Sequence, residues 1–250
     1  MLILSCLQIP DPAWLNVAYA DEVRLGSASD SGRFRRNYSA FLYLLALESA
    51  GLFGENPSFL DFGGGSGLLT QMLLNTGKEA WQTDLHIEVP TFAPERRVDL
   101  TNLKPHIFDV VTSLEVFEHL IDPMGTAQML NRLLKPSGAL VISTQIYNPA
   151  KHTSSWSYLA PSGGQHITFL TKKALYILLH HLGFASLGFF PDESGFMLVF
   201  SHFSEQKLLT ILEKAHSILC NSEYVGRALA TLDFRSDGTI SNQFGILDDI

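Results

Sequence analysis

Residues 60–67 read LDFGGGSG, the middle of a longer run, PSFLDFGGGSGLLTQMLLNTG at 57–77, that passes from strand-forming residues to a helical pattern. Glycines at 63, 64, 65 and 67 place four in five positions. Such a run is costly in chain entropy and is expected where a ligand or another backbone approaches closely. SFLDF is a short apolar run that ends at the glycines, and GLLTQMLLNTG has helical spacing and a stop signal at Gly77.

The same alternation continues in both directions. EAWQTD (79–84) reads as a second strand, RRVDL (96–100) as a short third, and FDVVTSL (108–114) and ALVISTQ (139–145) as buried strands. EVFEHL (115–120) is expected to begin a helix, AQMLNRLLK (127–135) is an amphipathic helix stopped by PSG, and TKKALYILLHHLGF (171–184) a helix with a Thr cap and a Gly terminator. FASLGFF and GFMLVFS, joined by PDES at 191–194, read as an antiparallel pair. Repeated β-α alternation predicts a parallel sheet with helices on both faces. Residues 51–202 form the core on this reading. A helical cap at 1–50, carrying AFLYLLALESAGLF (40–53), and a helical extension with a loose tail at 203–250 flank it. At least one flanking helix is expected to pack over the core near the ligand site, with a homodimer interface as the alternative.

Composition narrows the class. The 250 residues are 46 % hydrophobic and carry a net charge of −8, with no basic block longer than RFRR at 33–36. A long nucleic-acid polyanion would want a basic stripe, so a small molecule is the better partner. Apolar stretches break well before the ~18 residues of a membrane span. The opening MLILSCLQIPDP lacks a basic leader, and the two cysteines, Cys6 and Cys220, form no close pair. The expectation is a reduced, cytoplasmic protein with no membrane segment.

Three nucleotide readings compete for the glycines. A P-loop needs Lys-Ser/Thr after its last glycine, where this chain has Leu68-Leu69, and a G-x-G-x-x-G fingerprint would place its third glycine at Leu68. The pattern left is Asp61-x-Gly63-x-Gly65-x-Gly67, used for S-adenosylmethionine, which carries no phosphate and needs no phosphate-binding cation. Asp84 stands 19 residues after Gly65 (65 to 84), close to the ~20 expected of a carboxylate that grips ribose hydroxyls. Asp99, in RVDL, is expected to meet the adenine amino group. A tight turn with no ligand is the plain alternative for the glycines alone.

FLDFGGGSG, FDVVTSLEVFEHLIDP, LLKPSGALVIST and GGQHITFLTKKALYILLHHLGF resemble successive blocks of the class I S-adenosylmethionine-dependent methyltransferases of the methyltransferase-23 group, and AWLNVAY at 13–19 resembles an N-terminal element of some members. The resemblance covers roughly 13–190 and implies a Rossmann-like, doubly wound sheet of seven strands with one antiparallel. It assigns the cofactor to Asp61, Gly63, Gly64, Gly65 and Gly67 in the loop. At the following strand ends it adds Asp84 with Leu85, Asp99 with Leu100, and Ser113.

EVFEHL supplies a second constellation. Glu115, Glu118 and His119, at i, i+3 and i+4, would share one face of a helix, and His166 in GGQHITF arrives at the same edge of the sheet. Solvated carboxylates and a loop histidine are the bland reading. The functional reading makes these four the catalytic set for methyl transfer to a small hydroxylated acceptor, a sugar or natural-product intermediate, with histidine as base. Trp156 and Tyr158 would wall the acceptor pocket, and residues 150–166 would act as a lid. The same four residues form a mixed O/N set suited to Mg²⁺, Mn²⁺ or another divalent ion. EVFEHL resembles the metal-associated element of ubiquinone-pathway O-methyltransferases. Together with His166 it also resembles the metal-dependent small-RNA 2′-O-methyltransferases, although the acidic charge argues against RNA. An RNA 3′-end methyltransferase and a non-catalytic protein on the same fold remain the alternatives. The intact glycine and Asp84 set weighs against the second.

Overall fold

The computed structural model describes residues 3–5, 31–160, 165–190, 197–221, 223, 225, 233–234 and 240–241. Cys6, AWLNVAY, the PDES turn and most of the tail therefore lie outside the described residues.

Helix α1 (Ser31–Ala50) leads into β2 (Ser58–Phe62), α2 (Leu68–Asn75) and β3 (Glu79–Thr83), after β1 (Ile3–Ser5). Then follow β4 (Phe108–Leu114), α3 (Pro123–Leu133) and β5 (Leu134–Ser143). The chain continues through β6 (Thr168–Leu170), α4 (Lys172–Leu182), β7 (Ser186–Phe190), β8 (Met197–Ser201) and α5 (Glu205–Leu219). Among the described residues, six strands form the main sheet in the order β3-β2-β4-β5-β8-β7. The first four run parallel, and β8 is antiparallel to both its neighbours. Separately, β1 pairs antiparallel with β6. From β2 the chain winds outward to β3 and then crosses back to β4, so the topological switch lies between β2 and β4, where open α/β sheets place their ligands.

The expected seventh strand survives as a single parallel bridge, Gln82 to Arg97, beside β3. Val98 donates its N–H to the Gln82 carbonyl over 2.9 Å. Pairing stops there because a 3₁₀ turn at Pro94–Arg96 precedes it and Asp99 caps another at Leu100–Asn102. Only a residue or two is left extended.

Adjacent residues on each strand face opposite layers. Phe59, Val110, Val141 and Val199 pack with α1, α2 and α5, whereas Leu60, Val111, Leu140, Ile142, Leu198 and Phe200 pack with α3 and α4. The strands read as continuous apolar runs because both faces are covered. Helices α1 and α5 lie against each other within the first layer. On α5, Leu208, Ile211, Leu212 and Ala215 are buried at helical spacing, and each of the larger side chains contributes about 1.5–3 kcal/mol of transfer free energy.

The helix ends follow the caps read from sequence. The Thr171 side chain accepts from the Ala174 N–H, and Gly183 closes α4 at φ 75°, a left-handed conformation natural to glycine. Asp122 caps α3 with Pro123 in its first turn. Among the described residues, no helix is long and apolar enough to cross a membrane.

Candidate active site

The glycine loop is tied to the tip of β3. Gly63 and Gly64 both donate to the Thr83 carbonyl, at 2.9 and 3.1 Å, and Gly65 donates to Asp84 Oδ2 at 3.0 Å. Asp84 Oδ1 accepts from the N–H groups of His86 and Ile87, at 2.8 and 3.0 Å. The Asp84 carboxylate thus fixes the loop on one side and its own turn on the other. A Cβ on Gly67 would collide with the Phe92 carbonyl and the Gln82 amide, while one on Gly65, at φ 56°, would meet nothing within 4 Å. Gly67 is required by packing against the protein. Gly65 faces open space. Gln82 completes the support by donating to the Phe92 and Ala93 carbonyls.

Asp61 is buried, and its Oδ1 accepts from Thr112 Oγ1 at 2.8 Å. Burial pushes its carboxyl up to about 7, the Thr112 hydroxyl pulling it partly back and the Asp84 charge adding to the rise. Leu85, beside Asp84, is 88 % exposed. Ser113 is fully buried with no partner for its Oγ among the described residues. Leu100 is half-buried against the second layer. Asp99 is exposed and held by Thr101 and Asn102, so its oxygens serve the 3₁₀ turn.

The second constellation takes a different shape from the expected helix. Glu115 follows β4 at φ 54°, and Phe117–His119 is a single 3₁₀ turn. Glu115 N–H is drawn to the Ser143 carbonyl and Oγ, at 3.0 and 3.1 Å, which prevents a helix from starting there. Asp122-Pro123 begins α3 three residues after His119, leaving no length for an α-helix. The three residues therefore do not share one helical face. Val116 lies where a Cβ of Gly63 would be, so this turn packs directly on the glycine loop.

Glu118, His119 and His166 converge, with one potential ligand atom from each lying within 4.8 Å of the others. Two stitches bring His166 in: Ile167 N–H donates to the Glu118 carbonyl at 2.8 Å, and Thr168 Oγ1 to the Leu120 carbonyl at 2.6 Å. His119 Nδ1 faces the Gln165 carbonyl at 3.1 Å, and His166 Nδ1 faces the Tyr158 carbonyl at 2.5 Å. A carbonyl only accepts, so each neutral ring carries its proton on Nδ1 and presents Nε2 as an acceptor. Glu118 is buried, and neither of its oxygens has a hydrogen-bond partner among the described residues. Burial and the neighbouring Glu115 charge raise its carboxyl well above the usual range, with the nearby Tyr158 and Thr144 hydroxyls opposing them.

Glu115 turns aside from this trio. Its oxygens accept from Ser143 Oγ at 2.9 Å and Tyr158 OH at 3.0 Å, and Arg36 of α1 approaches Oε2 at 3.8 Å. Tyr158 is buried, and burial keeps its phenol protonated and hence a donor. It joins an aromatic run in which Trp156 stacks on His152 at 4.1 Å and Tyr158 tilts against His166 at 4.5 Å. The contacts of Thr112, Gln82, Ser143, Thr144 and Arg36 had no signal in the sequence, since each depends on which strand lies next to which. Residues 161–164, part of the expected lid, lie outside the described residues.

The family model described as a methyltransferase domain, methyltransferase-23, matches residues 31–187. The chain belongs to this family of class I, S-adenosylmethionine-dependent methyltransferases. It is similar to ubiquinone biosynthesis O-methyltransferases, at 27 % identity to that of Pseudomonas aeruginosa over 59 % of this chain and 67 % of the relative. Identity is 32 % to that of Xanthomonas campestris, over 47 % and 53 %. The chain thus spans between about half and two thirds of those relatives' lengths. Among solved structures, it resembles the Burkholderia thailandensis 1,6-didemethyltoxoflavin-N1-methyltransferase bound to its acceptor and S-adenosylhomocysteine (TM-score 0.54, 19 % identity, 78 % of this chain and 91 % of that one). It also resembles a Haemonchus contortus phosphoethanolamine N-methyltransferase bound to S-adenosylmethionine (TM-score 0.51, 17 % identity, 85 % and 54 %). At these identities the likeness concerns the fold.

Proposed function

We propose that this methyltransferase transfers the cofactor methyl group to a hydroxyl of a small acceptor, and that Glu118, His119 and His166 form the acceptor side of the site. The observation that carries this reading is the convergence of three groups near the glycine loop: a buried carboxyl, Glu118, with its Oε1 3.8 Å from His119 Nε2, and two imidazoles whose Nδ1 atoms face carbonyls. The O-methyltransferase names of the relatives support transfer to oxygen.

On this reading Gly65 lets the cofactor approach the backbone, and Asp84 accepts from the ribose hydroxyls. The acceptor oxygen attacks the methyl carbon in line, the carbon–sulfur bond breaks, and its electron pair stays on sulfur to give S-adenosylhomocysteine. Positioning supplies much of the acceleration. The hydroxyl proton is lost to a base, for which a histidine Nε2 is suited.

The trio also fits a divalent cation, since the Glu118 carboxyl and the two imidazoles make a mixed O/N donor set whose ligand atoms lie within 4.8 Å of one another. A cation held by these residues would lower the pKa of the bound hydroxyl. Glu115 remains with Ser143 and Tyr158 in this account. Titration of the S-adenosylhomocysteine-loaded protein with Mn²⁺, followed by paramagnetic resonance, tests it. Binding lost in Glu118→Gln and His166→Ala supports the cation. Methyl transfer to 3,4-dihydroxybenzoate that persists in EDTA, but fails in His119→Ala or His166→Ala, leaves a histidine base alone.

A further inference from the structure

Asp61 is the penultimate residue of β2, where the strand runs into the glycine loop. It is 3 % exposed. Its Oδ1 accepts from Thr112 Oγ1, and its Oδ2 lies 3.0 Å from the point where a Cβ on Gly64 would stand. On the next residue, the Gly65 N–H is held by Asp84 Oδ2. Two carboxyl groups therefore flank consecutive residues of the loop. Among the described residues neither has an ion-pair partner. Gln82 and Thr112, which stand opposite Asp61 on β3 and β4, carry no charge. On the same face of the sheet α1 and α2 bring apolar side chains, so Asp84 is the charged group that acts on Asp61 among the described residues.

A buried acid with a second acid beside it and no base nearby keeps its proton until a cation arrives. S-adenosylmethionine brings one, because its sulfonium and ammonium together outweigh its carboxylate. S-adenosylhomocysteine has lost the sulfonium charge and is neutral overall. We infer that Asp61 releases a proton to solvent when S-adenosylmethionine binds and takes one back after the methyl group has left, so that this carboxyl distinguishes the charged cofactor from its product. The inference rests on the reading that the glycine loop holds the cofactor. An added cation stabilises the ionised carboxyl, and the low dielectric that makes a lone buried charge costly also strengthens its attraction to a partner. In the free protein burial holds the acid at about 7. A cation lowers that value, so the complex binds fewer protons than the free protein just below it. Affinity for S-adenosylmethionine then rises with pH up to about 7 and levels off above.

Calorimetry on the full chain at about pH 6.5, in phosphate and in imidazole buffers of different ionisation enthalpy, counts the protons. The α-amino group of the cofactor, with an ordinary pKa of about 7.7–8.0, stays charged there. S-adenosylmethionine should release about half a proton per site or more, and S-adenosylhomocysteine much less. Between about pH 5.5 and about pH 7 the affinity for S-adenosylmethionine should rise at least about threefold, with a smaller rise for S-adenosylhomocysteine. Asp61→Asn should abolish the release and flatten the profile. Thr112→Val removes the hydroxyl that steadies the ionised acid and should move the rise to higher pH, a result that stands even where Asp61→Asn does not fold. Equal proton counts for the two cofactors, release that persists in Asp61→Asn, or an unmoved profile in Thr112→Val overturns the inference. Failure of the parent to bind S-adenosylmethionine overturns the cofactor reading itself, and the inference with it.

Discussion

The N–H of Gly65 donates to Asp84 Oδ2 over 3.0 Å, so the residue that exposes the glycine loop to a ligand is held by the acid at the tip of the neighbouring strand. On the proposed reading, loop shape and ribose recognition share one carboxylate. Asp84→Ala should remove both and weaken cofactor binding by roughly tenfold or more, as loss of a hydrogen bond to a charged group costs about 1.5–3 kcal/mol. Calorimetry with S-adenosylmethionine measures it, and unchanged affinity would refute the assignment.

Two glycine substitutions should fail in different ways. Gly65→Val places its side chain in open space, at the expense of a positive φ, which costs about 1–2 kcal/mol. The protein should stay folded, with its melting temperature down by a few degrees and cofactor binding lost. Gly67→Val instead drives atoms into the Phe92 carbonyl and Gln82 and should unfold the loop. Thermal melts alongside calorimetry separate the two outcomes.

Asp61 gives a pH signature. Its folded pKa, about 7, lies above the ordinary carboxyl value of 3.8, so the folded state binds more protons between those values and stability falls as pH rises through the window. The contribution is fully present below about 3.8 and gone above about 7. Asp61→Asn removes the titration while keeping an oxygen for Thr112. Relative to the parent, the unliganded variant should gain on the order of 2–4 kcal/mol between pH 4 and pH 8. Urea denaturation at several pH values tests this, and parallel profiles for the two proteins would rule it out.

Tyr158→Phe keeps the ring against His166 and Trp156 but removes the donor to Glu115 and the bond to Thr144. With Glu115 left less satisfied, the fold should lose about 1–3 kcal/mol. On the proposed reading, methyl transfer to a small hydroxylated acceptor should slow while cofactor affinity stays constant. A variant as stable as the parent would show that the hydroxyl bonds are dispensable.

The parts of the fold legible in the sequence were those set by local chemistry. Thr171 and Gly183 delimit α4 because caps act within one turn, and the spacing of Asp84 from the glycines matched its place at the tip of β3 because the first β-α-β unit has a narrow range of lengths. EVFEHL misled because helical spacing is a statement about side chains. The contact of Glu115 N–H with Ser143 comes from a strand that follows it by 28 residues. For the same reason the seventh strand shrank to a bridge, since the 3₁₀ turns around Arg97 outcompete pairing. The burial of Glu118 and the tautomers of the two histidines were likewise invisible until distant backbone carbonyls were in place.

The two stitches that join Ile167 to Glu118 and Thr168 to Leu120 are main-chain and hydroxyl bonds on either side of the histidines. They anchor His119 and His166 to each other independently of the stretch between Asn148 and Ser157. Most of that stretch is exposed, so its residues before Trp156 are open to substitution while the bonds that hold the histidine pair in register stay in place.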